Sequence, residues 1–186
     1  GRQPVLEIKL DLVGTDVKFD PVIGPNNGKG IRDLIDGWIG SFMQVATLFR
    51  RLDNDGTYMR EMHTDSDVCL LLAIIEDTLQ NNTNSLNELR GKFEEHSYLW
   101  KTDFDVFFRE FCEDAVTRTE LASYLDLEKF DAAISKYESV KTMINKLESP
   151  TDIGWLRINT QPIKHQLVTY STRWIDMFTA HLREHL

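Results

Sequence analysis

Apolar and polar residues alternate at the start of the chain. Leu6, Ile8, Leu10 and Leu12 are separated by Glu7, Lys9 and Asp11. A period of two puts all four apolar groups on one face of a strand. Gly14-Thr15-Asp16 is turn chemistry, and Val17 and Phe19 alternate again before Pro21. The pattern predicts a β-hairpin. Two strands alone are marginal, so their apolar face must pack on helices. Residues 24–30 (GPNNGKG) predict a flexible loop.

The period then changes. Ile31, Leu34, Ile35, Trp38, Ile39, Phe42, Val45, Ala46 and Phe49 recur at three- and four-residue spacing, the stripe of an amphipathic helix. Gly37 and Gly40 weaken it, unless their small size admits a neighbouring backbone. Residues 53–56 (DNDG) predict a turn. A second helix begins near Asp65 or Asp67, both good N-caps. Its stripe is Val68, Leu71, Leu72, Ile75, Leu79, Leu86, Leu89 and Phe93. The polar run 80–85 (QNNTNS) interrupts the stripe, which resumes in phase, so one continuous helix is expected. Tyr98, Leu99 and Trp100 close this segment.

Thr102 or Asp103 can cap a short helix with a dense aromatic face of Phe104, Phe107, Phe108 and Phe111. Asp126 caps the next helix, with Leu127, Phe130, Ile134, Tyr137, Ile144 and Leu147 on its buried side, and Pro150 stops it. Trp155, Leu156 and Ile158 suggest a short extended piece. A last helix starts around Pro162, a residue favoured in a first turn, and carries Ile163, Leu167, Tyr170, Trp174, Met177, Phe178 and Leu182. It reaches Leu186 with no stop signal, as expected of a piece of a longer polypeptide. The expected fold is mainly α: elongated helical bundles with a small N-terminal β-hairpin. The hairpin spans 1–23, a first bundle of two long helices 24–101, and a second helical segment 102–186. No repeat of 20 to 50 residues is evident.

Composition narrows the function. The chain is 41% hydrophobic and 27% charged, enough apolar surface to fold. Its net charge of −9 argues against nucleic acid and against an anionic membrane surface. No apolar run approaches the ~20 residues that span a bilayer. Cys69 and Cys112 lie in apolar runs and read as core thiols of a reducing compartment.

The chemistry motifs are weak. GxxxxGK[ST] is absent, so no phosphate cradle is expected. Residues 53–56 lack the spacing of a calcium loop. The stretch His181-Leu-Arg-Glu-His185 matches an inverted zinc-protease pattern, but a three-position match at one helix end arises by chance. It reads as a polar rim, with His181 part-buried. Asn81-Asn82-Thr83 is a glycosylation pattern with meaning only in a secreted chain. No catalytic, cofactor or metal site is expected. Trp38, Trp100, Trp155 and Trp174 read as core or interface anchors rather than pocket walls. Phe93, Tyr98, Leu99 and the Phe104–Phe111 face join them as structural or interface candidates. Trp100 with that phenylalanine face is expected to form a junction between two bundles.

Three stretches together resemble a known family. They are LEIKLDLVGTDVKFDP followed by a helix ending ATLFRRL, then FEEHSYLWKTD, then GWLRINTQPIKHQLVTYSTRWIDMFTAHL. In order and spacing they resemble the tails of dynein heavy chains, of the axonemal more than the cytoplasmic type. The resemblance implies a non-catalytic, stiff helical scaffold in the C-terminal part of the tail, just before the linker. It also implies docking of intermediate chains, light chains and neighbouring heavy chains. Microtubule association is then indirect, through the whole motor, in the cytoplasm and the axonemal cytoskeleton of a cilium or flagellum. ATP hydrolysis belongs to AAA modules absent here. From the residues alone, a free-standing helical adaptor or tether is the alternative, and a zinc hydrolase using His181 and His185 a distant third.

Overall fold

The computed structural model describes residues 4, 6–48, 66–118, 123–154 and 156–186. The expected turn at 53–56, Phe49, Asp65 and Trp155 lie outside the described residues. Strand β1 (Leu6–Val13) and β2 (Asp16–Asp20) are followed by helices α1 (Ile31–Leu48), α2 (Ser66–Glu94), α3 (Tyr98–Lys101) and α4 (Phe104–Asp114). Then come β3 (Val116–Arg118), β4 (Ser123–Leu125), α5 (Leu127–Lys146), β5 (Thr151–Ile153), β6 (Leu156–Asn159) and α6 (Gln161–His185). The architecture is mainly α with the N-terminal hairpin, as the periodicities predict.

The hairpin is part of a larger sheet. β1 pairs antiparallel with β2, with Leu12 opposite Val17 and Leu10 opposite Phe19. On its other side β1 pairs parallel with β6, placing Ile8 opposite Ile158. The sheet order is β2-β1-β6-β5, so the extended piece foreseen after Pro150 supplies two further strands. Ile8, Leu10, Leu12, Val17, Phe19, Leu156 and Ile158 are all buried, while Glu7, Lys9, Asp16, Lys18 and Asp20 are exposed. That split follows from the period-two pattern on a half-buried sheet. α6 packs on β1, and α2 lies against β2 and β5. Asn82 of α2 is buried against Gly154, whose φ of +59° and contact with the Asn82 side chain leave no room for a Cβ.

Helix starts are capped by local chemistry. Asp103 accepts from the Val106 amide at 3.1 Å, and Asp126 from the Lys129 amide at 3.2 Å. α6 opens with Pro162 in its first turn, behind an N-cap Thr160 that makes no side-chain cap bond. α2 is continuous through 80–85, as the resumed stripe predicts. The loop 24–30 is tied down: the Asp33 carboxylate accepts from the amides of Asn26 and Gly30. These bonds hold the Asp33 carboxyl below its ordinary range.

The buried cation Lys164 joins α5 to α6. Its Nζ donates to the carbonyls of Leu147 at 2.5 Å and Asn145 at 3.3 Å, where α5 ends and its carbonyls lack helical partners. α5 closes at Lys146, before Pro150, and Leu147 is its C-cap.

Some sequence expectations are corrected. Cys69 is exposed and Cys112 half-buried, so they are not two core thiols; position 69 sits beside the α2 stripe rather than on it. Leu127 and Met177 are 49% and 38% exposed, at the margins of their stripes rather than under them. Among the described residues, a Cβ at Gly37 or Gly40 would meet nothing within 4 Å, so none of their backbone approaches α1 there. The small ribbon β3–β4 was not foreseen, because three-residue strands are too short for a period to register.

Candidate functional site

The most developed constellation is an aromatic joint where α3 and α4 meet α5 and α6. Trp174, only 2% exposed, lies at its centre on α6. Its indole N–H donates to the Leu99 carbonyl at 3.1 Å, pinning α3. Phe104 and Phe107 of α4 meet the indole edge-on, with centroids 4.5 and 5.0 Å away, and Tyr137 of α5 stacks at 5.1 Å. One turn on, Phe178 meets Phe111 at 4.8 Å and Phe108 at 5.2 Å. Phe111 in turn meets Phe130 of α5 at 5.1 Å. Such offset and edge-to-face pairs each add about 0.5–1.5 kcal/mol beyond area burial. Three helices are thereby fixed to one another at one place.

Charges ring the joint. Lys136 lies 5.1 Å from the Tyr98 ring and 5.5 Å from that of Tyr137, and Arg173 covers Phe104 at 5.3 Å. Burial, with Tyr98 beside it, pushes the Tyr137 hydroxyl up to about 12. Burial likewise raises the Tyr98 hydroxyl and the Cys112 thiol.

His181 stacks on Phe130 at 5.4 Å, with the Phe108 ring edge-on. Burial first, and His185 second, lower its pKa. His185 packs 4.1 Å from it and directs Nδ1 to the His181 carbonyl at 2.8 Å. The pair is thus built into the end of the aromatic stack. Among the described residues no three His, Cys, Asp or Glu side chains gather as a metal ion requires.

The sequence candidates separate in space. Trp174, Phe104, Phe107, Phe108, Phe111, Tyr98 and Leu99 come together in or beside the joint. Phe93 is buried near the C-terminal end of α2. Trp100 is half-buried, and its indole N–H donates to the Thr15 carbonyl at 3.1 Å, tying α3 to the hairpin turn. Trp38 stands apart on α1, 48% exposed. Sequence reasoning missed Lys164; it placed His181 as part-buried, as it is, but not its stacking on Phe130. The signal for Lys164 was a lysine one residue after a buried isoleucine in the first turn of α6.

A second feature is a groove between the sheet edge and α2. Val17, Lys18 and Phe19 of β2 and the following Val22 and Ile23 form one wall. Leu79, Thr83, Asn87 and Arg90 of α2 form the other. Arg32 of α1 closes one end through a two-bond pair with Glu76 at 2.8 and 2.5 Å. Glu76 and Asp36 push the Arg32 pKa upward, and Arg32 lowers that of Glu76.

No family model matches the chain. Individual proteins do. It is 30% identical over 185 residues, 97% of its length, to the dynein beta chain of the flagellar outer arm of Chlamydomonas reinhardtii. It is 27% identical over 198 residues to human dynein axonemal heavy chain 17. It is 24% identical over 199 residues to the ciliary dynein beta chain of Heliocidaris crassispina. The chain spans only 4% of the length of each of these relatives. Along nearly its whole length the chain is therefore homologous to one segment of the axonemal dynein heavy chains.

Proposed function

We propose that this chain is a stiff, non-catalytic segment of a dynein heavy-chain tail, lying just before the linker. It connects the motor head to the doublet microtubule and docks intermediate chains, light chains or neighbouring heavy chains. Its location is that of its relatives, the axoneme of a cilium or flagellum. The observation that carries this reading is the match to axonemal heavy chains along 97% of the chain. The aromatic joint supports it physically. Force made elsewhere is useful only if the connection does not yield, and close-packed interiors compress little. Trp174 and Phe178 clamp α4, α5 and α6 through rings 4.5–6.0 Å apart. The expected division remains a hairpin at 1–23, a first bundle at 24–101 and a second segment at 102–186.

The test is lysine crosslinking with mass spectrometry on the intact axonemal complex. Lys92, Lys101, Lys129 and Lys136 are exposed and suitable, whereas Lys164 is buried and will not react. Links to intermediate, light or neighbouring heavy chains are expected. Links confined to the AAA modules would place the segment in the motor head and overturn the proposal.

A further inference from the structure

The loop 24–30 holds a dipeptide with chemistry of its own. Asn27 is followed by Gly28, and no other asparagine of the chain precedes a glycine. An asparagine side-chain amide is an electrophile, and the backbone nitrogen of the next residue is the nucleophile closest to it. Glycine in the second place hinders the approach least, because it has no Cβ. Asn27, Gly28 and Lys29 are all exposed, so water reaches this site.

The fold holds the dipeptide in a closed turn. The Lys29 amide donates to the Asn26 carbonyl at 2.8 Å. Asn27 and Gly28 have φ of +48° and +83°, both positive as in a type I′ turn. The Ile31 amide donates to the Val22 carbonyl at 2.8 Å and shuts the base of the loop. Asp33 reaches back from α1. Its carboxylate accepts from the amides of Asn26 at 2.6 Å and Gly30 at 3.1 Å, on either side of the dipeptide. The Gly28 amide adds to the stabilisation of that charge.

We propose that Asn27 is a site of spontaneous deamidation and that the Asp33 tether sets its rate. The Gly28 nitrogen gives up its proton and attacks the Asn27 side-chain carbonyl carbon. The new C–N bond closes a succinimide ring, and the side-chain nitrogen leaves as ammonia, taking up that proton through water. A second water then opens the ring at either carbonyl, giving aspartate or isoaspartate. Water is the sole co-reactant. Asp33 opposes the first step in two ways. Its negative charge disfavours an anionic Gly28 nitrogen. Its bonds to Asn26 and Gly30 resist the rotation about Asn27 that ring closure needs, so reaction waits on local opening of the loop. Either product places a second carboxylate in the loop beside Asp33, and isoaspartate also lengthens the main chain of the turn. The modified loop loses its hold on the first turn of α1, which begins at Ile31. This chemistry belongs to the loop alone and does not rest on the segment's place in a motor.

The test is a time course at mildly alkaline pH on the full 186-residue chain, read by peptide mapping with mass spectrometry. Asp33→Ala, Asp36→Ala and a capped peptide of residues 22–31 (VIGPNNGKGI) are followed alongside. In the chain, amide-to-acid conversion is expected first at Asn27, and the free peptide should convert faster still. Asp33→Ala should convert about tenfold faster than the unaltered chain, because two charge-assisted bonds that close the loop are gone. Asp36 pairs with Arg32 and not with the loop, so Asp36→Ala should match the unaltered chain. Circular dichroism checks that each variant is folded. If Asp33→Ala is not, Asp33→Ser, which keeps a short acceptor without the charge, should show the same acceleration in smaller measure. An Asp33 variant that converts no faster than the unaltered chain overturns the inference, as does a chain that reacts as fast as the peptide. Equal acceleration by Asp36→Ala, or earlier conversion at another asparagine, also overturns it.

Discussion

The aromatic joint and the α1 region carry the same kind of sequence signal and end up in opposite environments. Both are apolar stripes at helical spacing that include a tryptophan. At the joint, Trp174 is 2% exposed, hydrogen-bonded and touched by three aromatic rings. On α1, Ile31 and Ile35 are buried but Trp38 is 48% exposed, and near the start of the next helix Leu70 and Ile74 are more than half exposed. Amphipathicity states that a face seeks cover; it does not state whether cover is present. The joint is covered by this chain's own helices. Trp38 is not, although Ile39 beside it packs against the core.

The largest test of this contrast is a pair of alanine substitutions. Trp174→Ala should lower unfolding free energy by about 3–5 kcal/mol, through lost burial and an unfilled cavity. Trp38→Ala should cost about 0.5 kcal/mol or less. Denaturant titrations measure both, and similar losses would show that the two regions are equally packed.

Lys164→Met should come next. It removes a buried donor from the carbonyls of Asn145 and Leu147 and should cost about 1–3 kcal/mol. The melting temperature should fall without change in far-ultraviolet circular dichroism, because the α5–α6 connection is loosened rather than a helix unwound.

Arg32→Gln breaks an exposed ion pair near the α1 end of the groove and should cost about 0–1 kcal/mol, reduced further by salt. A larger loss would mean that α1 depends on Arg32 for its position.

The smallest effect is in pH. Burial lowers the pKa of His181 and of His96 from the ordinary 6.5. The folded state therefore binds fewer protons than the unfolded chain just below that value. The histidine contribution is complete above pH 6.5 and is lost as pH falls through the lowered folded values. Melting temperature should fall modestly from pH 7.5 to 5.5, and His181→Phe should flatten part of that slope. A midpoint that rises on acidification would contradict the buried, neutral assignment of His181.

Much of the fold was legible because it depends on local periodicity. The strand pattern of Leu6 to Leu12 named the buried face of β1 residue by residue. Asp103 and Asp126 announced their helix starts, because a carboxylate that caps an exposed amide needs nothing distant. The candidate joint was half legible. Phe104 to Phe111 marked one aromatic face, but nothing local indicated that Trp174, some 70 residues on, would sit at its centre. Trp100 shows the same limit, since its partner Thr15 is 85 positions away.

The sequence by itself determined the long helices and the N-terminal hairpin, most of the apolar face of each, and which family the chain resembles. All of these reside in short-range pattern and order. Tertiary structure alone decided that β1 lies between β2 and β6, that Trp174 is central while Trp38 is exposed, and that Lys164 closes the end of α5. The physical reason is the same in each case. A local pattern fixes what a segment must bury, whereas the choice of partner is settled by the whole chain packing at once.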